Sequence, residues 1–192
     1  MNSFDLHMHS CYSNDGEFTP QELIHMADAA HLTTIALSDH NTPKGIADMV
    51  RLGEAKGIRV IPAMEFDTLF EELEVHVLGY GIDYEQPYFQ SLFDSLSERK
   101  QAVQIKRVEK IREVFDLDID PAALLKRYAG KNPFPAIVHH IMEQYKDKKE
   151  FADYQPGGRR CEPQPVNFYW DMCSAGKPCY VRVEYPSLKD TV

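Results

Sequence analysis

Imidazole and carboxylate side chains recur along the first eighty residues in a pattern that could hold metal ions. His7 and His9 stand two apart in Asp5-Leu6-His7-Met8-His9, and Asp15 follows in Ser13-Asn14-Asp15-Gly16. His40 lies in Ser38-Asp39-His40-Asn41, and Glu65 and His76 come later. Side chains at i and i+2 of a strand point to the same face, so a strand over Phe4–His9 aims both imidazoles one way. Nitrogen and carboxylate donors mixed in this way suit Zn, Mn or Fe better than Mg or Ca. A carboxylate such as Glu65 can also bridge two ions, which makes a multinuclear site chemically reasonable. Each residue has an ordinary reading too: polar residues at a sheet edge, a turn aspartate, a loop before a helix, a core histidine. Their joint placement at strand ends is what argues for a site.

The elements needed to bring these residues together are legible. Thr19-Pro20-Gln21-Glu22 reads as a helix start, with Thr19 as N-cap, Pro20 at the first position and Glu22 closing a capping box. Leu23, Met26, Ala27 and Ala30 keep helical spacing. Thr34 to Leu37 is a short apolar strand candidate, and Pro43 opens a second helix ended by Gly57. Arg59 to Met64 predicts a third strand ending at Glu65, and Glu74 to Gly79 a fourth, with His76 inside it. Strands alternating with helices predict a parallel sheet or barrel of βα units, whose sites form at the C-terminal strand ends. The rhythm changes after Tyr84. Gln86 to Phe115 reads as one long helix or two, Asp120-Pro121 caps another through Tyr128, and Phe134 to Tyr145 a further one. Asp153 to Asn167 reads as a loop. Cys179 to Tyr185 reads as a strand or extended stretch and Pro186 to Val192 as a first helical turn. The expected organisation is βα units over residues 1–83, a helical insertion over 84–175, and a return toward the barrel over 176–192, with the barrel cut short.

With 192 residues, 43% hydrophobic and 27% charged, the chain has the composition of an ordinary globular protein. Its formal net charge of −9 and the lack of a long Lys/Arg block argue against tight non-specific binding to duplex nucleic acid. A small phosphorylated ligand neutralised by metal ions remains compatible. The polar start has no signal-peptide core and no apolar run is long enough to span a membrane, so a cytoplasmic location is expected. Cys11, Cys161, Cys173 and Cys179 form no CxxC pair and read as reduced thiols.

Taken in order, DLHMHS, YSNDGEFTPQEL, IALSDHNTPKG, VIPAMEFDT and EVHVLGYGID resemble the PHP (polymerase and histidinol phosphatase) domain. The resemblance covers residues 4 to 83 densely. Together with FYWDMCSAGKPCYVRVEYPSL, the helical insertion is most similar to the stand-alone phosphoesterase branch. The resemblance implies a distorted (β/α)7 barrel in the α/β class, of which this chain holds the N-terminal portion. It implies two to three Mn, Zn or Fe ions: one on His7, His9 and Glu65, a second bridged by Glu65 and also using His76, and a third on Asp15 and His40. The chemistry implied is phosphoester hydrolysis by a metal-activated hydroxide, turning on Glu65, His40 and Asp15. The substrate implied is a phosphomonoester or a nucleotide phosphoester, of the nucleoside 3′,5′-bisphosphate or 5′-end oligonucleotide type.

Two departures stand against the family pattern. The family adds a His-Pro and a late Asp-x-His to its site, whereas all eight histidines here lie at or before His140. Relatives also often carry Arg-Pro-His where this chain has Phe134-Pro135-Ala136, and the next-turn residues His139 or His140 are the substitutes. Arg99, Arg107, Arg159 and Arg160 are candidate phosphate clamps, since a planar guanidinium matches phosphate. Three readings follow: a phosphoesterase, completed where necessary by another chain; a catalytically incomplete metal-binding or interaction module; and a polymerase-type proofreading domain, the weakest because no polymerase segments accompany it.

Overall fold

Thr19 starts the first helix as its residue type predicts. Its hydroxyl accepts the Glu22 N–H at 3.3 Å, and the Glu22 carboxylate accepts the Thr19 N–H at 2.8 Å. The computed structural model describes residues 3–71, 73–130 and 132–191. Helix α1 runs Pro20–Ala29 and α2 runs Ile46–Lys56, ended by Gly57 at φ 69°. That left-handed conformation at the residue after a helix is one glycine adopts at no steric cost. Strands β1 (Phe4–Met8) and β2 (Thr34–Leu37) pair in parallel, and β2 pairs in parallel with β3 (Arg59–Phe70). Apolar residues from both helices, the sheet and the turn before β3, Leu23, Ile24, Ala27, Ile35, Leu37, Met49 and Ile58, form one core that α1 and α2 cover.

The third strand differs from the sequence expectation. It does not end at Glu65 but continues to Phe70 and turns back, with Glu71 at φ 55°, into β4 (Leu73–Tyr80), which is antiparallel to it. The parallel rule therefore holds for three strands and fails for the fourth. The physical reason is the alternation Met64-Glu65-Phe66-Asp67: its period of two continues past Glu65, so the chain has no cause to stop there. The sheet order is β1-β2-β3-β4.

The chain folds as two compact units, one reaching Ser97 and resuming at Glu184, the other Glu98–Val183. Helix α3 is a single helix, Pro87–Phe115, and the division falls within it. In the second unit, Asp120 caps α4 (Pro121–Arg127) by accepting the Ala122 and Ala123 N–H groups, and α5 runs Phe134–Gln144. Its core gathers Val108, Ile111, Phe115, Ile137, Val138, Ile141, Phe151 and Phe168. The stretch expected as a loop from Asp153 to Asn167 is more ordered than that. It begins inside a 3₁₀ turn (Lys149–Tyr154) and ends in α6 (Gln164–Phe168), where Pro165 fits a first helical turn. Cys179 to Tyr185 forms no strand; the bridge to β3 is made by Ser187 with Leu69. Helix α7 is one turn, Leu188–Thr191, and the last residue of that expected turn, Val192, lies outside the described residues. Among the described residues, no helix is long and apolar enough to cross a membrane.

Candidate metal centre

Strand register brings the six sequence-predicted residues together within the first unit. Met8 packs on the core under the helices, so its neighbour His7 projects from the opposite face of β1. Beyond β2 the chain stays bonded to β3: the Asn41 N–H donates to the Glu65 carbonyl at 2.9 Å, and the Glu65 N–H to the Asp39 carbonyl at 3.3 Å. His40 is thereby bridged to Glu65 in a parallel register. On β4, His76 stands opposite Asp67. The antiparallel turn-back is thus what delivers His76, which a parallel fourth strand would have placed differently.

The imidazoles form a row. Ring centroids are 4.9 Å apart for His7–His9, 4.9 Å for His9–His40 and 5.0 Å for His40–His76. Carboxylates thread between them. Glu65 Oε2 lies 2.7 Å from His7 Nε2 and 3.2 Å from His9 Nε2, while Oε1 lies 2.9 Å from His76 Nδ1. Asp15 Oδ1 is 3.0 Å from His9 Nδ1, and Oδ2 is 3.4 Å from His40 Nε2. Burial alone would raise the Glu65 pKa, but His7, His40 and His76 outweigh it and hold the carboxyl below the usual range. Asp15 is likewise lowered against its own burial by the Ser13 hydroxyl, His9 and His40. Burial would lower His40, yet Asp67, Glu65 and Asp15 together raise it.

Three residues that sequence reading missed complete the arrangement. Asp67 is buried and its Oδ1 lies 2.6 Å from His40 Nδ1. The signal was present: Asp67 is two residues beyond Glu65 on one strand, the argument that paired His7 with His9. Ser13, also buried, donates its hydroxyl to Asp15 at 2.6 Å and accepts the His40 N–H at 3.3 Å. Buried Asp39 accepts both the N–H and the hydroxyl of Ser10 at 2.6 Å, tying the β1 loop to the β2 loop. Burial raises the Asp39 pKa against those two bonds. Nothing in a single sequence marks Ser13 or Asp39 apart from other turn residues.

The donor set fits metal ions. Three overlapping groups, His7–His9–Glu65, His9–Asp15–His40 and His40–Asp67–His76, each offer three ligand atoms within 4.8 Å of one another. Atoms sharing one ion at roughly 2.0–2.3 Å lie at most about 4.6 Å apart, so small adjustments suffice.

The five expected substrate-binding residues, with Arg107, lie in the second unit. Arg159 pairs with Asp153 at 2.9 Å, and Arg160 grips Asp171 with two bonds of 2.8 and 2.7 Å. Arg107 is buried beside the Phe134 and Tyr169 rings. His140 Nδ1 meets the Tyr128 hydroxyl at 3.1 Å, while His139 on α5 and Arg99 on α3 are exposed. Arg159 and Arg160 are thus already engaged in ion pairs within their own unit.

A sequence profile of the PHP domain matches residues 5–155. The chain belongs to the PHP domain family. It is 26% identical to a 3′,5′-nucleoside bisphosphate phosphatase of Chromobacterium violaceum over 197 aligned positions, covering 100% of this chain and 62% of that protein. It is 35% identical to the 5′-3′ exoribonuclease Rnm of Escherichia coli over 114 positions, 56% of this chain and 38% of that enzyme. The chain therefore spans less than two thirds of either relative. A solved amidohydrolase structure from Chromobacterium violaceum, with sulfate bound and no metal, superposes with a TM-score of 0.67 at 23% identity, covering 99% of this chain and 62% of that one. The sheet and helices of the first unit are accordingly those of a partial PHP-type (β/α) barrel.

Proposed function

We propose that this PHP chain is a metal-dependent phosphoesterase acting on a nucleotide-type phosphoester, such as a nucleoside 3′,5′-bisphosphate or the 5′ end of an oligonucleotide. The observation that carries this reading is Glu65, whose two carboxylate oxygens face His7 and His9 on one side and His76 on the other. His7, His9 and Glu65 would hold one ion, Glu65 and His76 a second, and Asp15 with His40 a third, drawn from Mn, Zn or Fe. Such ions supply Lewis-acid polarisation of a phosphoryl oxygen and a lowered pKa for water at the site.

The chain's own groups orient and neutralise. Glu65 and Asp15, both held ionised below the ordinary carboxylate range, set a negative floor that attracts cations. Ser13 fixes Asp15 against the loop that carries His40. In the second unit His139, His140 and Arg99 are candidate substrate-binding residues. Arg159 and Arg160 would have to exchange Asp153 and Asp171 for phosphate to serve as clamps, which makes them the weaker candidates.

A rival reading is a metal-binding or interaction module without hydrolysis. One experiment separates the two. The chain is loaded with Mn or Zn, passed through gel filtration and analysed for metal, and phosphate release from adenosine 3′,5′-bisphosphate and a 5′-phosphorylated oligoribonucleotide is then followed. Metal-dependent release lost in His9→Ala and Glu65→Ala supports the phosphoesterase. Retained metal with no release from any phosphoester supports the rival.

A further inference from the structure

Asp67 is only 4% exposed, and its Oδ1 sits 2.6 Å from His40 Nδ1. It does not reach His40 by chance of rotamer alone, because its backbone is pinned. The Asp67 N–H donates to Asn41 Oδ1 at 3.0 Å, and the Asn41 N–H donates to the Glu65 carbonyl at 2.9 Å. Asn41 is itself buried and adopts φ 53°, a left-handed conformation that asparagine tolerates better than most residues. One residue, next in sequence to His40, thus clamps the stretch of β3 that carries both Glu65 and Asp67.

An ionised carboxylate only accepts hydrogen bonds, and a neutral imidazole has a single N–H. In the neutral ring, an N–H given to the Asp67 carboxylate at 2.6 Å sits on Nδ1 and leaves the lone pair on Nε2. Nε2 faces Asp15 Oδ2 at 3.4 Å and Glu65 Oε2 at 3.8 Å, whereas His76 Nε2 lies 3.7 Å from Asp67 itself. We infer that Asp67, held by Asn41, is a positioning residue that fixes His40 in the Nδ1–H tautomer and turns its Nε2 lone pair toward the His9–Asp15 group. The inference deepens the metal-centre reading above: within the His40–Asp67–His76 group it makes Asp67 the partner of His40 Nδ1 and not a ligand.

The test uses the full chain labelled with 15N-histidine and loaded with zinc. Long-range proton–nitrogen correlation, with His40 identified by its absence in His40→Gln, reports which ring nitrogen carries the proton. The expected result is a proton on Nδ1 and a metal-bound Nε2. Asp67→Ala should weaken zinc binding by about 10- to 100-fold in a competition titration, the range found for outer-shell partners of ligating histidines. Asp67→Asn, whose amide oxygen still accepts the Nδ1–H, should lose less. A proton on Nε2 overturns the inference, as does an unchanged zinc affinity in Asp67→Ala. The loss of one whole ion per chain in Asp67→Asn would overturn it too, by making Asp67 a ligand. If Asp67→Ala does not fold, the parent tautomer and Asp67→Asn still decide. If the parent retains no zinc, the metal-centre reading falls, and the tautomer of the metal-free chain at alkaline pH then decides the role of Asp67 separately.

Discussion

Glu65 Oε2 lies 2.7 Å from His7 Nε2, although the strands that carry the two residues are separated by β2. Approach across an intervening strand is available because β2 ends at Leu37, short of the level of Glu65. The gap is floored by the Ser38–Asn41 loop, whose backbone bonds to Glu65 on both sides. The other oxygen of the same carboxylate reaches β4 through His76 at 2.9 Å. A single side chain therefore joins the first strand to the last, and the short second strand is what gives it room.

Replacing that carboxylate is the most direct test of the centre. Glu65→Gln keeps the shape and removes the charge that faces the imidazoles of His7, His9, His40 and His76. Bound metal should fall by at least one ion per chain. Metal-dependent phosphate release should fall by more than about 100-fold, beyond the range of an outer-shell change. Elemental analysis with a phosphate assay reads both, and an unchanged metal content would remove Glu65 from the centre.

Metal should also stabilise the first unit. The ligand groups come from β1, its following loop, the loop after β2, β3 and β4, so an ion held by them ties together segments that separate on unfolding. Free Mn or Zn at 100 times its Kd should add about 2.7 kcal/mol of stability. Chelator should reverse the gain, and thermal denaturation with and without it measures the difference. A melting curve indifferent to metal and chelator would contradict the arrangement.

Gly16 gives a test of the Asp15 loop that touches no proposed ligand. A Cβ at this position would stand 2.0 Å from the Ser10 carbonyl oxygen, a backbone atom that cannot swing aside. Gly16→Ala must therefore push apart the two ends of the turn that holds Ser13 and Asp15. Overpacking of this kind costs about 1–3 kcal/mol. Metal affinity should drop by about tenfold or more through displaced Asp15, on the scale of a lost outer-shell partner. Isothermal titration with Mn reads the affinity, while far-UV circular dichroism should show the helices intact. Parental affinity in Gly16→Ala would mean that Asp15 does not take part.

Much of this was legible in the sequence, and the failures have identifiable causes. The capping box at Thr19 and Glu22 and the stop at Gly57 are local devices, decided by residues within one turn, and both stand where expected. The candidate donors could be picked out because histidines and acids at strand ends are chemically conspicuous. Asp67 escapes a reading that ends the third strand at Glu65, which puts Asp67 in a loop instead of on the same face. The antiparallel β4 escapes it for the same reason, since a strand read as ending early leaves no partner for the next. Ser13, Asp39 and Asn41 act through hydrogen bonds to residues 26 to 29 positions away in sequence, a kind of pairing that composition and periodicity do not encode. The pairings of Arg159 and Arg160 were invisible too: an arginine that binds phosphate and one that binds aspartate look alike until the fold supplies the partner.

That last distinction can be tested through pH. Asp171 accepts two bonds from Arg160, at 2.8 and 2.7 Å, and one from the Tyr154 hydroxyl at 3.0 Å. The Arg160 bond, opposed by partial burial and aided by Tyr154, holds the Asp171 carboxyl below its ordinary value of 3.8. A carboxyl whose pKa is depressed on folding stabilises the fold fully above its unfolded pKa and loses that contribution as pH falls through the folded one. If Arg160 is a structural residue of the second unit, Asp171→Asn should lower the Tm by about 2–4 °C at pH 7. The gap between variant and parent should persist down to about pH 4 and close below it, as the parent carboxyl takes up its proton. Because both side chains are about one-third exposed, the gap should also narrow in high salt. Thermal melts of both proteins across this pH range provide the measurement. A Tm unchanged at neutral pH, with Arg160→Ala instead weakening substrate affinity, would return Arg160 to the role of phosphate clamp.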